Sequence, residues 1–159
     1  MKILKNLLVS FMAMVICSTI CSCDKNKILT EEDMLRYAND QHGNGLSYTG
    51  MSLYGNEAIT WFTADPFNPT ALAIVFSKNN DGSYTLVKDT NYFQDADACY
   101  ILWRNGIAVH IENEEIKEVA VGLERISVTE YPFNTYVEFK ENASNTDIYY
   151  FDADGNKLV

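Results

Sequence analysis

Histidine, proline and basic residues are scarce in this chain, and each scarcity closes off a class of function. His42 and His110 are the only histidines, too few for a histidine cluster that binds zinc or iron in the usual way. Pro66, Pro69 and Pro132 are the only prolines, and neither an internal repeat nor a low-complexity linker divides the chain. Lys and Arg number 12 against 22 Asp and Glu, a formal net charge of −10. That balance argues against a nucleic-acid partner and against electrostatic adhesion to anionic head groups. No Gly-x-Ser-x-Gly, Ser-x-x-Lys or Cys-His nucleophile signature occurs. No Gly-x-Gly-x-x-Gly or Walker-type phosphate loop occurs either. No apolar run reaches the roughly 20 residues that a comfortable transmembrane helix needs.

What is present is concentrated at the start. Lys2 and Lys5 precede the apolar stretch Leu7 to Ile16 (LLVSFMAMVI), and Ser18, Thr19 and Ser22 follow it. This is the order of an export signal. The stretch closes on Ile20-Cys21-Ser22-Cys23, which resembles the end of the signal in bacterial membrane lipoproteins cut by the lipoprotein signal peptidase. In that class an aliphatic, a variable and a small residue precede an obligatory cysteine. Cys17 and Cys21 fit less well, because each follows a bulky isoleucine. The resemblance covers residues 1–23 and implies that Cys23 carries a diacylglycerol, commonly with a further acyl chain such as palmitate. Two or more chains give stable anchoring where one gives only marginal binding. The implied partner is therefore the membrane itself, through the lipid on Cys23, at the bacterial cell envelope. The outer membrane is favoured over the inner one, and the leaflet is left open. Asp24 after the cysteine is a retention signal in some bacteria and goes with surface export in others.

On that division residues 1–22 are the signal, 23–29 a lipidated polar tether and 30–159 a single β-rich domain. Loss of the signal leaves 137 residues, with 10 basic against 22 acidic side chains and a net charge of −12. That length suffices for one domain with its own core. The four cysteines then dissolve as a disulfide set. Cys17 and Cys21 leave, Cys23 is capped, and Cys99 stands alone as a small buried hydrophobe.

Thr30-Glu31-Glu32-Asp33 reads as a helix start with a reciprocal cap. Met34, Leu35 and Ala38 share one face, and Gly43 and Gly45 end the helix near residue 41. From Leu46 the pattern becomes short β-type runs between turn residues. Glu57 to Thr63 is one; Asp65-Pro66 and Asn68-Pro69 force a loop; Ala71 to Lys78 is apolar on both faces and reads as a central strand. Asn79 to Gly82 turns into Ser83 to Lys88. Ala98 to Arg104 and Ile107 to Glu112 flank Asn105-Gly106, whose glycine suits the positive φ of a two-residue hairpin turn. Residues 113–125 fit a short helix or a strand equally well. Ile126 to Tyr131, Thr135 to Lys140 and Asp147 to Phe151 complete the strands, with 132–134 and 142–145 as turns. The expected fold is mainly β with an α+β tendency: an antiparallel sheet or sandwich of about seven to nine short strands and one N-terminal helix.

Pairing around Asn105-Gly106 sets Ile101 opposite His110 and Trp103 opposite Ala108. One face carries Tyr100, Leu102, Ile107, Val109 and Ile111 and reads as core. The other carries Cys99, Ile101, Trp103, Ala108, His110 and Glu112, apolar at its centre and polar at its edge, and is either covered by the helix or partly open. Trp103, His110, Ile101 and, separately, Trp61 are the candidate binding surface. Trp61 and Phe62 point to opposite faces, so helix, loop or partner must cover one of them. Asp152-x-Asp154-Gly155-Asn156 departs from the calcium loop in its early glycine and missing glutamate, and reads as a hairpin turn. No catalytic residue, metal ligand or cofactor is assigned. The reading is a lipid-anchored envelope protein, not an enzyme, with a binding or accessory domain for a protein or glycan partner. Two alternatives stand beside it. One is a small envelope glycan hydrolase with two carboxylates about 5–10 Å apart; the other is a structural subunit of a lipoprotein complex.

Overall fold

The computed structural model describes residues 28–64, 69–139 and 147–158. The signal, Cys23, the tether through Lys27, the loop at 65–68 and the turn at 142–145 lie outside the described residues. Eleven strands and one helix are described. The class is mainly antiparallel β, as read, and the strand count is higher.

Helix α1 (Glu31–His42) starts where its cap dictates. Thr30 Oγ1 accepts the Asp33 amide at 3.2 Å, and Asp33 Oδ2 accepts the amides of Thr30 at 3.1 Å and Leu29 at 2.9 Å. Those backbone donors, Leu29 first, hold the Asp33 carboxyl below its usual range. Gly43, at φ 104°, ends the helix by donating its amide to Asn39 O at 3.0 Å.

The first sheet has the order β1 (Ser47–Tyr54), β2 (Glu57–Ala64), β3 (Thr70–Lys78), β4 (Tyr84–Asp95). The second sheet is β5 (Ala98–Trp103), β6 (Gly106–Ile111) and β9 (Phe133–Glu138). The third runs β11 (Lys157–Leu158), β10 (Ile148–Phe151), β7 (Glu118–Val121), β8 (Glu124–Ser127). The stretch left open at 113–125 is thus a turn followed by β7 and the start of β8, joined at Gly122-Leu123. Asp152 shapes the β10–β11 turn: its Oδ1 accepts the amides of Asp154 and Asn156.

These pieces stack as four layers. Met34 and Ala38 of α1 pack on Phe62, Leu72, Ile74 and Phe76 of the first sheet. Its opposite face carries Ile59, Trp61, Ala73 and Val75, which meet Cys99, Ile101 and Ala108 of the second sheet. Ile107, Val109, Ile111 and Val137 then meet Val119 and Val121 of the third. β2 and β3 are therefore covered on both sides, which is why Trp61 and Phe62 are both fully buried although they point apart. Burial of each such side chain contributes roughly 1.5–3 kcal/mol.

The β5–β6 hairpin corrects two expectations. Its ladder pairs Cys99 with His110, Ile101 with Ala108 and Trp103 with Gly106. The two-residue turn is Arg104-Asn105, with the positive φ on Arg104 (54°) and not on the glycine. A slip of two residues keeps every side chain on its face, so alternation alone cannot detect it. The cover of the faces differs in part. The side expected to be either covered by the helix or partly open is covered by the first sheet, and Ile107, Val109 and Ile111 on the other side are core, as read. On β5, Tyr100 and Leu102, read as core, are exposed, because the third sheet covers β6 and β9 but stops short of this edge strand.

Candidate functional site

Three of the four residues proposed from sequence as a binding surface lie inside the protein. Trp61 and His110 have no exposure and Ile101 has 3%. The His110 ring stacks on the Trp61 indole with centroids 5.2 Å apart and an interplanar angle of 17°. Asn134 Nδ2 donates to Thr49 O at 2.8 Å, which orients its Oδ1 toward His110 Nδ1, also at 2.8 Å. His110 Nδ1 is therefore the donor of that bond. Nε2 lies 3.3 Å from Glu112 Oε1. Cys99 stands across the ladder from His110, and burial pushes its thiol far up, with the charges of Glu112 and Asp95 adding to the effect. A thiol held protonated in this way is no nucleophile. His42 is also occupied: Nε2 contacts Asp89 Oδ2 at 2.7 Å, and the ring meets Phe93 edge-on.

Trp103 is the exception: it is partly exposed and joins a cluster of charged and aromatic side chains. It ends β5 beside the tight Arg104-Asn105 turn, which aims both residues at the first sheet. There Glu57, the first residue of β2, receives three donors. Trp103 Nε1 reaches Oε2 at 2.8 Å, Arg104 Nε reaches Oε2 at 3.0 Å, and Arg104 Nη2 reaches Oε1 at 2.6 Å. Arg104 thus grips the carboxylate with two nitrogens, the strong form of this pair. Arg104 in the first place, and then Trp103, hold the Glu57 carboxyl below its ordinary range against the opposing effect of burial.

Two cations also lie over the indole ring. The Arg104 guanidinium lies 4.8 Å and Lys88 Nζ 5.6 Å from the ring centroid, both within cation–π range. Tyr136 Oη donates to Trp103 O at 2.8 Å, and its ring leans on Tyr54 with centroids 4.8 Å apart. Burial, followed by the nearby Tyr54 and Glu138, raises the Tyr136 phenol to about 12. Gly106 makes this close approach possible, since a Cβ there would stand 2.5 Å from Tyr136 Oη.

Chemically this is a fixed surface cluster with its acid–base groups already engaged. Glu57 is an anion with its oxygens committed to donors, which suits neither a general acid nor a free base. Every carboxyl whose proton affinity is shifted among the described residues, Asp33, Glu57 and Asp152, is shifted downward. Among those residues no group of three or more His, Cys, Asp or Glu is placed to hold a metal ion. The exposed part of a partly buried indole and the half-exposed guanidinium remain for contact.

Glu57, Arg104, Tyr136, Tyr54 and Lys88 were not singled out by sequence reasoning. Glu57 and Arg104 are 47 positions apart, and no local spacing links them. The one available signal was the Trp103-Arg104 pair at the end of β5, which the assumed turn, one residue too late, left inside the strand. No family model matches the chain, and no curated protein or solved structure is detectably similar to it.

Proposed function

We propose that this is a lipid-anchored protein of the bacterial cell envelope, at the outer membrane in preference to the inner, whose β domain binds a partner without catalysing a reaction. The anchor follows from the positive–apolar–small–cysteine order that ends at Cys23. The observation that carries the binding reading is the Trp103 surface. Its indole is held in place by one hydrogen bond and two cations, so little side-chain entropy is lost when a partner contacts its exposed part. Tryptophan and arginine are the residue types that dominate interface energetics, and an indole with a flanking guanidinium suits a protein or a glycan of the envelope. The glycan-hydrolase alternative needs a carboxyl raised into the acid-donor range, and the three shifted carboxyls argue against it.

Pull-down of the lipidated protein from its own membranes tests the proposal. A partner retained by the wild type and lost in Trp103→Ala, with folding unchanged by circular dichroism, is the expected outcome. Retention by Trp103→Ala and by Arg104→Ala alike would sink the reading. Cys23→Ser tests the anchor separately, since the variant is expected to leave the membrane fraction.

A further inference from the structure

Nine large apolar side chains are exposed among the described residues, and they are not scattered. Leu86, Val87, Tyr92 and Phe93 lie on β4. Tyr100 and Leu102 lie on β5, and Leu29 sits next to Ile28, which bridges to Tyr84 at the start of β4. Leu53 and Leu123 are the two that lie elsewhere. β4 is the last strand of the first sheet and β5 the first of the second. Lys88 of β4 stands over Trp103 of β5, which puts both free edges on one flank. Isolated exposed hydrophobics need no explanation, but seven of nine on one flank do.

We infer that this β4–β5 flank rests on the lipid bilayer. The inference depends on the anchor reading of Cys23. Five residue steps separate Cys23 from Ile28, and an extended chain of that length spans at most about 18 Å. Ile28 is fixed to the edge of β4 by the Tyr84 amide, which donates to Ile28 O at 2.8 Å. The short tether therefore delivers this flank, and not the Leu123 hairpin on the far layer, to the membrane surface.

The chemistry of the flank agrees. A strand partner is disfavoured because the β4 ladder slips twice against β3, between Leu72 and Ile74 and between Val75 and Phe76. Asn91 adopts a positive φ of 56° within the first slip. Bulges of this kind are how edge strands avoid pairing with a straight neighbour. Tyrosine and lysine side chains, apolar in body and polar at the tip, suit the interfacial zone of a bilayer. Weak contacts suffice, because a short tether holds the flank at high effective concentration. The net charge does not draw the domain to anionic lipid, so the contact is one of apolar surface with head groups of either kind.

Depth-dependent quenching tests this on the lipidated full-length protein, reconstituted in phosphatidylcholine vesicles that contain doxyl-labelled lipid. An environment-sensitive thiol dye is placed by Leu29→Cys, Val87→Cys and Leu102→Cys on the flank, and by Leu53→Cys and Leu123→Cys away from it. All five positions are exposed, and buried Cys99 does not compete for the dye. Several-fold stronger quenching at the three flank positions is the expected result. Equal quenching at all five, or no quenching at the three flank positions of vesicle-bound protein, overturns the inference. If the protein bears no lipid and floats free of the vesicles, the anchor reading fails first, and mass spectrometry of the N-terminus distinguishes that case.

Discussion

Gly106→Ala is the substitution whose cost can be worked most directly from the coordinates. Gly106 opens β6 and pairs with Trp103 on one side and Glu138 on the other. Its φ is not positive, so alanine meets no backbone penalty and the whole effect is steric. A Cβ would stand 2.4 Å from Val137 O and 2.5 Å from both Cζ and Oη of Tyr136. Van der Waals contact requires about a further ångström. Either β9 moves away from β6 or Tyr136 swings out and gives up its 2.8 Å hydrogen bond to Trp103 O. Overpacking of this kind costs about 1–3 kcal/mol, and the lost hydrogen bond adds about 1 kcal/mol. The expected destabilisation is about 2–4 kcal/mol, or roughly 8–15 °C in Tm for a domain of this size. Thermal unfolding of the purified protein in mild detergent, followed by far-UV circular dichroism, reads it. Repeating Gly106→Ala in a Tyr136→Ala background should shrink the penalty, since one of the two colliding groups has gone. A Tm within 2 °C of wild type, on the scale of a neutral surface change of about 0.5 kcal/mol, refutes the close approach of β6 and β9 on which the Trp103 site depends.

Other outcomes follow from the same structure. The Glu57 carboxyl is depressed below its ordinary value of 4.5 by Arg104, so its contribution to stability is complete above that value and is lost as pH falls through the lower, folded one. Glu57→Gln should therefore flatten the acid limb of a stability–pH profile between about pH 5 and pH 2; an unchanged limb argues against the pair. Cys99 should resist alkylation by iodoacetamide in the native protein and react fully in denaturant; fast native labelling would contradict its burial and raised thiol. Trp61→Ala should cost about 3–5 kcal/mol and free the His110 ring, detected as a lowered denaturation midpoint in urea. Gly50→Ala should also destabilise, because φ is 118° there and a Cβ would stand 2.4 Å from Asn134 Nδ2; loss of the Asn134 contact to His110 would show in the imidazole NMR signals.

Sequence alone determined what depends on neighbours along the chain. The Thr30–Asp33 cap, the glycine stop after α1, the Asp152 turn and the doubly apolar β3 each rest on interactions spanning a few residues, and each is found. Alternation also sorted the side chains of β5 and β6 into the right two sets. Tertiary structure alone decided that β6 is covered on both faces while Tyr100 and Leu102 of β5 stay open, because cover comes from β2, β3 and the third sheet, none of which leaves a mark on the alternation. The same holds for Trp61 and His110, whose amphipathic chemistry suits a surface until a second sheet closes over them. Gly106 shows the limit most sharply. Read locally, it is a turn glycine chosen for positive φ; in the fold Arg104 takes the positive φ, and the glycine is needed because Tyr136, thirty positions on, occupies the space where a side chain would stand.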